Sequence, residues 1–158
     1  MDIALRPVTD QDASFLHRVY ASTRTQELAA TGWDPAACEA FTALQFKAQQ
    51  QHYQRHFPHA HHLVIEVRGQ AVGRVYVHQD EQEIRLVDIA LLPQHQAQGI
   101  GRQCLQTLLA KAATERLPVH LHVNPSNPAR RLYQRLGFVA SAAPDGLSVP
   151  MRWQAPDT

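Results

Sequence analysis

The chain carries no strong charge of either sign. Its 158 residues hold 15 Lys and Arg against 14 Asp and Glu, a formal net charge of +1, with no long basic run. Composition therefore gives no reason to expect a nucleic-acid partner. Long apolar runs are missing too. None reaches about 18 residues, the length that reads as a membrane-crossing helix, so no membrane partner is expected. The opening Met1-Asp2-Ile3-Ala4-Leu5-Arg6-Pro7 has neither the basic start nor the apolar core of a secretory signal. Cysteine is scarce: Cys38 and Cys104 are the two in the chain. Both fall in helix-like segments without a framework spacing, which points to reduced thiols in a cytoplasmic protein. Repeats, linkers and low-complexity stretches are absent. The whole of 1–158 is expected to be one domain with a real core, its 44% hydrophobic and 18% charged content being ordinary for a globular chain.

What is present is a regular alternation of strand-like and helix-like segments. Ile3 to Val8 reads as a strand ending at Pro7. Thr9 can cap a helix whose positive end is favoured by Asp10 and Asp12. That helix carries Phe15, Leu16, Val19 and Tyr20 at helical spacing and runs to about Leu28. Thr31-Gly32-Trp33 is a break. Asp34 and Pro35 then start a second helix as cap and first-turn proline. It runs to about His56, with Phe41, Leu44, Gln45, Ala48 and His52 on one side. Strands His62–Val67, Ala71–His78 and Glu83–Leu92 follow, joined by short turns that favour an antiparallel meander. A helix from near Gly99 shows a clean stripe of Ile100, Cys104, Leu105, Leu108, Leu109 and Ala112. Val119–Val123 is the next strand. Asn127 caps the next helix, Gly137 ends it, Phe138 begins a strand, and Leu147 to Trp153 can pair with that strand.

The most informative stretch is Gln96-Ala97-Gln98-Gly99-Ile100-Gly101, between an apolar strand and the periodic helix. The first N–H groups of a helix have no internal partner and lie at its positive end, and glycines let a ligand's phosphates approach the backbone. A phosphorylated small molecule is the expected guest. A P-loop is excluded, because Gly101 is followed by Arg102 and Gln103 rather than Lys and a hydroxyl residue. A Rossmann fingerprint is excluded by Cys104 at the third glycine position and by the loop's late place in the chain.

The remaining pattern, [QR]-x-x-G-x-[GA] after a strand, resembles the pyrophosphate loop of the GNAT superfamily of acetyl-CoA-dependent N-acyltransferases. A second segment strengthens it. Asn127-Pro128-Ala129-Arg130-Arg131-Leu132-Tyr133-Gln134-Arg135-Leu136-Gly137-Phe138 resembles the family's N-x-x-A-x-x-x-Y-x-x-x-G-F, at the expected distance downstream. The resemblance implies an α/β (α+β) fold: a mixed, mostly antiparallel sheet with helices on both faces, in the order β-α-α-β-β-β-α-β-α-β-β. It also implies acetyl-CoA as co-substrate and an amine as acceptor, a small molecule or a peptide. Homodimers are common in the family, but nothing in these residues establishes one.

The resemblance carries roles to particular positions. The backbone N–H groups of Gln98, Gly99, Ile100, Gly101 and Arg102 would hold the pyrophosphate, with the Gln96 side chain as a neutral donor and Arg102 adding charge. Ala97 stands where a glycine is frequent. The pantetheine arm would pair with the backbone of Ala90, Leu91 and Leu92 like an added strand. Asn124 and Asn127 would meet the pantetheine or substrate, while Asn127 also caps its helix. Tyr133 would protonate the departing thiolate, against the plain alternative of a core tyrosine; a phenol of pKa near 10 can do this.

The acceptor amine must lose a proton, so a base or a relayed water is needed. Asp88, inside the apolar Leu86-Val87-Asp88-Ile89-Ala90-Leu91, is the anomaly, since a buried carboxylate is costly unless paired. It is either that base or a substrate anchor, or else half of a structural salt bridge with Arg74 or Arg85. Glu83 is the weaker candidate. Trp33, Glu27, Tyr20 and Tyr53 could form an aromatic and acidic wall for a cationic amine, although each could equally be packing or surface. The ten histidines include a cluster at 56–62, but the metal spacings are missing, and a solvated loop is the better account. No metal is expected. Cys104 is a poor covalent nucleophile on an apolar stripe. A non-catalytic acyl-CoA-binding or regulatory module is the rival function, and a structural or interaction protein would leave the glycine loop unexplained.

Overall fold

The computed structural model describes residues 2–141 and 148–156. Among them the strands are β1 (Ile3–Pro7), β2 (His61–Val67), β3 (Gln70–Gln79), β4 (Ile84–Leu91), β5 (Val119–Val123), β6 (Val139–Ala140) and β7 (Val149–Trp153). The helices are α1 (Ala13–Ser22), α2 (Thr25–Ala29), α3 (Pro35–His56), α4 (Ile100–Glu115) and α5 (Ala129–Arg135), with one-turn 3-10 helices at Asp10–Asp12 and Pro93–His95. The strands form a seven-stranded sheet in the order β1-β2-β3-β4-β5-β7-β6. The pairs β1–β2, β5–β7 and β6–β7 are antiparallel. The β4–β5 pair is parallel; its ladder sets Ile84, Arg85 and Leu86 against Val119, His120 and Leu121 and ends there, although β4 continues to Leu91. Contacts divide the chain into two compact units, Met1–Tyr76 with Asp88–Gln98, and Val77–Val87 with Gly99–Thr158.

In the first unit, Pro7 ends β1 and Thr9 opens the first 3-10 turn through a reciprocal capping box with Asp12. Arg6 on β1 reaches Asp12 (2.8 Å) and Glu66 of β2 (3.0 Å), tying strand, turn and neighbouring strand together. The core gathers Phe15, Leu16 and Val19 of α1 with Val64 and Leu92. The turn between β2 and β3 places Arg68 and Gly69 at φ 53° and 79°, two left-handed residues in succession, whose twist matches a hairpin. Asp34 caps α3, its Oδ1 accepting from the Ala37 N–H at 2.7 Å, with Pro35 in the first turn.

Two expectations for this unit are corrected. The helix expected to run to Leu28 is two helices. The hydroxyls of Ser22 and Thr23 donate to the carbonyls of Val19 and Tyr20 at 2.6 Å, and this side-chain competition accompanies the end of α1. The inner face of α3 is also different. Leu44 is 70% exposed, whereas Thr42 is buried and Phe46, Gln49 and Tyr53 are half-buried. These four recur at helical spacing, but two are polar, so apolar periodicity pointed to the wrong stripe.

In the second unit the apolar residues alternate along the strands: Ile84 and Leu86 on β4, Val119, Leu121 and Val123 on β5, and Val149 and Met151 on β7 are buried. The stripe of α4 buries Ile100, Cys104, Leu105, Leu109 and Ala112. Gly137 follows the end of α5 past Leu136; its φ of 104° only glycine adopts readily, and a Cβ there would press on the Trp153 indole at 3.2 Å. Leu147, expected in the last strand, lies outside the described residues.

Candidate active site

The first unit holds the end of β4 and the entry to the glycine loop. Gly73 on β3 explains how the backbone passes Ala90 and Leu91. A Cβ at Gly73 would overlap the Ala90 carbonyl oxygen and come within 2.7 Å of the Leu91 side chain, so only glycine allows this approach. Leu92, expected to pair with pantetheine, already spends its backbone: its N–H donates to Val72 (2.9 Å) and its C=O accepts from His95 (2.9 Å). Ala90 and Leu91 lie just ahead of it at the end of β4. Gln96 donates from Nε2 to the Leu91 carbonyl at 3.0 Å, and Gln98 donates to Gln94 at 3.0 Å. Both glutamines therefore pin the loop to its own backbone. Ala97 sits at φ 61°, the left-handed conformation that its position asks of a glycine.

Asp88 is not isolated. Arg74 of β3, 2% exposed, donates from Nη2 to Asp88 Oδ2 at 2.5 Å, and the same nitrogen donates to Gln49 Oε1 of α3 at 2.6 Å. The guanidinium lies over the Phe46 ring at 5.8 Å. Of the two expected partners, Arg74 forms the salt bridge with Asp88. Around it stand aromatic rings: Tyr53 meets Tyr76 at 5.1 Å, and His62 meets Tyr76 at 4.7 Å. Burial pushes the Tyr53 phenol well up, with the nearby Asp88 charge adding to it, and burial also raises Tyr76. Burial, with Arg74 adding its repulsion, lowers His62 to about 4. Both phenols and the imidazole are thus uncharged at neutral pH.

The expected acceptor wall separates. Trp33 is 48% exposed and meets Phe41 edge-on at 5.2 Å. It lines a cavity of about 460 Å³ with His17, Arg18, Leu28, Cys38 and Thr42, a size suited to a small ligand. Glu27 is outside that lining and pairs with Arg24 at 3.0 Å, its side chain 66% exposed. Tyr20 is buried against Phe46.

The second unit holds the rest. Gly99, at φ 85°, precedes α4, and a Cβ there would meet nothing within 4 Å. The first bond of the helix runs from the Gln103 N–H to the Gly99 carbonyl at 3.0 Å, so the N–H groups of Ile100, Gly101 and Arg102 precede any intrahelical acceptor. Ile100 is buried and anchors this turn, while Arg102 is exposed. Asn124 Oδ1 accepts from the backbone and hydroxyl of Ser126, at 2.9 and 2.7 Å. Asn127 Oδ1 accepts from the Ala129 N–H at 2.9 Å, at the entry to α5, whose cap position is Pro128 one residue later than expected. Their amide NH2 groups remain as the donors these residues can offer. Asn127 also lines a cavity of about 490 Å³ with Ser126, Arg130, Arg131 and Gln134. Tyr133 is 6% exposed, its ring edge-on to Phe138 at 5.7 Å. Cys104 is buried, and burial pushes its thiol up, the reverse of what a nucleophile needs. Glu83 faces His120 at 3.4 Å.

Gly73, Gln49 and His62 were missed by sequence reasoning. Gly73 had a signal, a glycine inside a strand; Gln49 had none. Among the described residues no three His, Cys, Asp or Glu gather as a metal site. No described helix is long and apolar enough to cross a membrane.

A profile described as the Acetyltransferase (GNAT) family matches residues 16–138. Among solved structures, a PaiA N-acetyltransferase from Thermoplasma acidophilum in complex with coenzyme A is similar, with a TM-score of 0.72 at 16% identity, over 98% of this chain and 100% of that one. A GNAT family acetyltransferase from Elizabethkingia anophelis with acetyl-CoA bound gives 0.62 at 15% identity, over 97% and 98% of the two chains. A chimera of the spermidine N-acetyltransferase SpeG from Vibrio cholerae gives 0.65 at 21% identity, over 98% and 96%. No curated protein sequence matches the chain.

Proposed function

The chain belongs to the acetyltransferase (GNAT) family, and from that premise we propose that it moves an acetyl group from acetyl-CoA to a primary amine by direct attack. The observation that carries this reading is the opening of α4: Gly99 in the left-handed region, then helix N–H groups with no internal acceptor at the positive end of a sixteen-residue helix. In this proposal Gly99, Ile100, Gly101 and Arg102 bind the pyrophosphate through backbone N–H groups, joined by Gln98. Ala90 and Leu91 pair with the pantetheine amides. Asn124 and Asn127 donate from their side-chain amides. The neutral amine adds to the acetyl carbonyl carbon, and the tetrahedral intermediate collapses with cleavage of the carbon–sulfur bond. Tyr133 gives a proton to the thiolate, and the ammonium proton leaves by way of water at Asp88. Trp33 lines the cavity offered to the body of the acceptor. Reduced Cys38 and Cys104 fit a cytoplasmic enzyme.

The test is calorimetric titration of acetyl-CoA into the wild type and into Gly101→Glu, which puts bulk and negative charge at the pyrophosphate. Binding by the wild type and none by a folded variant is the expected result, followed by thiol release in a screen of amines. A wild type that binds no acetyl-CoA removes the reading. Binding without turnover of any amine leaves a binding module.

A further inference from the structure

We propose that Arg74 is a positioning residue of the acyl-transfer site, acting through Asp88: it holds Oδ2 and leaves Oδ1 to receive the acceptor amine or its water. This rests on the acetyltransferase reading above. The two carboxylate oxygens of Asp88 are unequal. Oδ2 is bound to Arg74 Nη2, while Oδ1 has no protein donor among the described residues, and the side chain is 26% exposed. One oxygen is structural and the other faces an approaching ligand.

The clamp on Oδ2 rests on one nitrogen. Arg74 Nε and Nη1 are buried without a hydrogen-bond partner, and the Phe46 ring covers the guanidinium, so Nη2 alone reaches polar groups. That nitrogen is shared with Gln49 of α3. Gln49 therefore sets where Nη2 sits, and through it where Asp88 points. Three elements, α3, β3 and β4, are joined in a Gln49–Arg74–Asp88 relay. A small displacement of a reacting group costs up to about a hundredfold in rate, so a relay held at one atom is sensitive to each member.

The experiment uses the full chain and three variants, Gln49→Leu, Arg74→Lys and the double Arg74→Met with Asp88→Asn. Acetyl-CoA affinity is measured by calorimetry. Steady-state thiol release is measured with the best amine from a panel of monoamines, diamines and amino acids, and thermal unfolding checks each fold. Acetyl-CoA affinity is expected to stay within about twofold, because no relay member contacts that ligand in the proposal. The kcat/KM for the amine is expected to fall roughly tenfold in Gln49→Leu, with Arg74→Lys keeping part of the activity because it keeps a donor for Oδ2. The double variant removes both charges together, folds, and is expected to be slower than either single variant. Amine kcat/KM that is unchanged in Gln49→Leu, or wild-type turnover by the double variant, overturns the proposal and makes the pair purely structural. A wild type that binds no acetyl-CoA fails the acetyltransferase reading instead, in a separate measurement.

Discussion

The proposed acetyl-CoA side and the proposed acceptor side of this GNAT-family chain are built from different materials. The first is mostly backbone: Gly99 at φ 85° before α4 and helix N–H groups ahead of any intrahelical acceptor, beside two asparagines whose side-chain oxygens are held by local backbone N–H groups. The second is side chains drawn from distant positions, with Arg74 bonded to residues 25 and 14 positions away in the chain. A backbone site demands particular residue types at fixed local spacing, because only glycine tolerates certain conformations and only a few residues cap. A side-chain site demands only that partners meet in space, and many sequences satisfy that. One side should therefore respond to local geometry, the other to charge pairing.

Removing one member of the charged pair should have the largest effect. Asp88→Asn leaves the buried Arg74 cation without its counter-charge. Breaking such a pair costs about 3–5 kcal/mol, and the 26% exposure of Asp88 argues for about 3. The melting temperature should fall by roughly 6–12 °C. Asp88→Asn combined with Arg74→Met should recover most of that loss in differential scanning calorimetry, because no unpaired charge remains. If the double variant is no more stable than Asp88→Asn, charge pairing does not organise this side. Gly73→Ala should be next. Its Cβ would overlap the Ala90 carbonyl, and overpacking of this kind costs about 1–3 kcal/mol. The backbone of Ala90 and Leu91 must then shift, so acetyl-CoA affinity should fall together with stability. A stable Gly73→Ala that binds acetyl-CoA normally would show that the end of β4 takes no part in binding.

The same division explains how much the sequence revealed. The element order, the glycine loop, the Asp34-Pro35 start and the turn at Asn127 were legible because each rests on local backbone chemistry. The break between α1 and α2 was not, since Leu28 stays buried and in phase with the apolar pattern across the interruption. The inner face of α3 was hidden because Thr42 and Gln49 are polar, and apolar spacing favoured exposed Leu44 instead. Asp88 was visible as a charge in an apolar strand, with Arg74 named as a possible partner. Gln49, which completes that contact, carried no local mark. Glu27 and Trp33 were grouped by chemistry alone, and the structure puts only Trp33 in the cavity wall.

His62 gives a smaller effect, on the side built from side chains, where its ring meets Tyr76. Its folded-state pKa lies near 4, below the value of about 6.5 for a free imidazole. Above pH 6.5 both folded and unfolded forms are neutral, and the group is silent. As pH falls from about 6.5 towards 4, the unfolded chain takes up the proton first and stability is lost, until the folded form protonates as well. His62→Phe should remove this component. The wild type should lose more melting temperature between pH 7 and pH 5 than the variant. Equal losses would place the imidazole in a more solvated setting than its contact with Tyr76 implies.

The smallest effect tests the backbone side. Ala97 stands at φ 61°, where a side chain costs about 1–2 kcal/mol relative to glycine. Ala97→Gly relieves that strain and also frees the unfolded chain, which costs back about 0.4–1 kcal/mol. A net gain of roughly 0.5 kcal/mol is expected, about the limit of what denaturant unfolding resolves. The informative measurement is the comparison with acetyl-CoA binding. If the alanine merely strains the loop, stability rises slightly and affinity stays the same. If the alanine holds the loop in its binding shape, Ala97→Gly weakens acetyl-CoA binding while stability hardly changes, because a looser loop must be ordered by the ligand at the ligand's expense. The Gln96–Leu91 and Gln98–Gln94 hydrogen bonds already fix the loop from both flanks, which favours the first outcome. A backbone-built site with two such tethers should not need the alanine's stiffness.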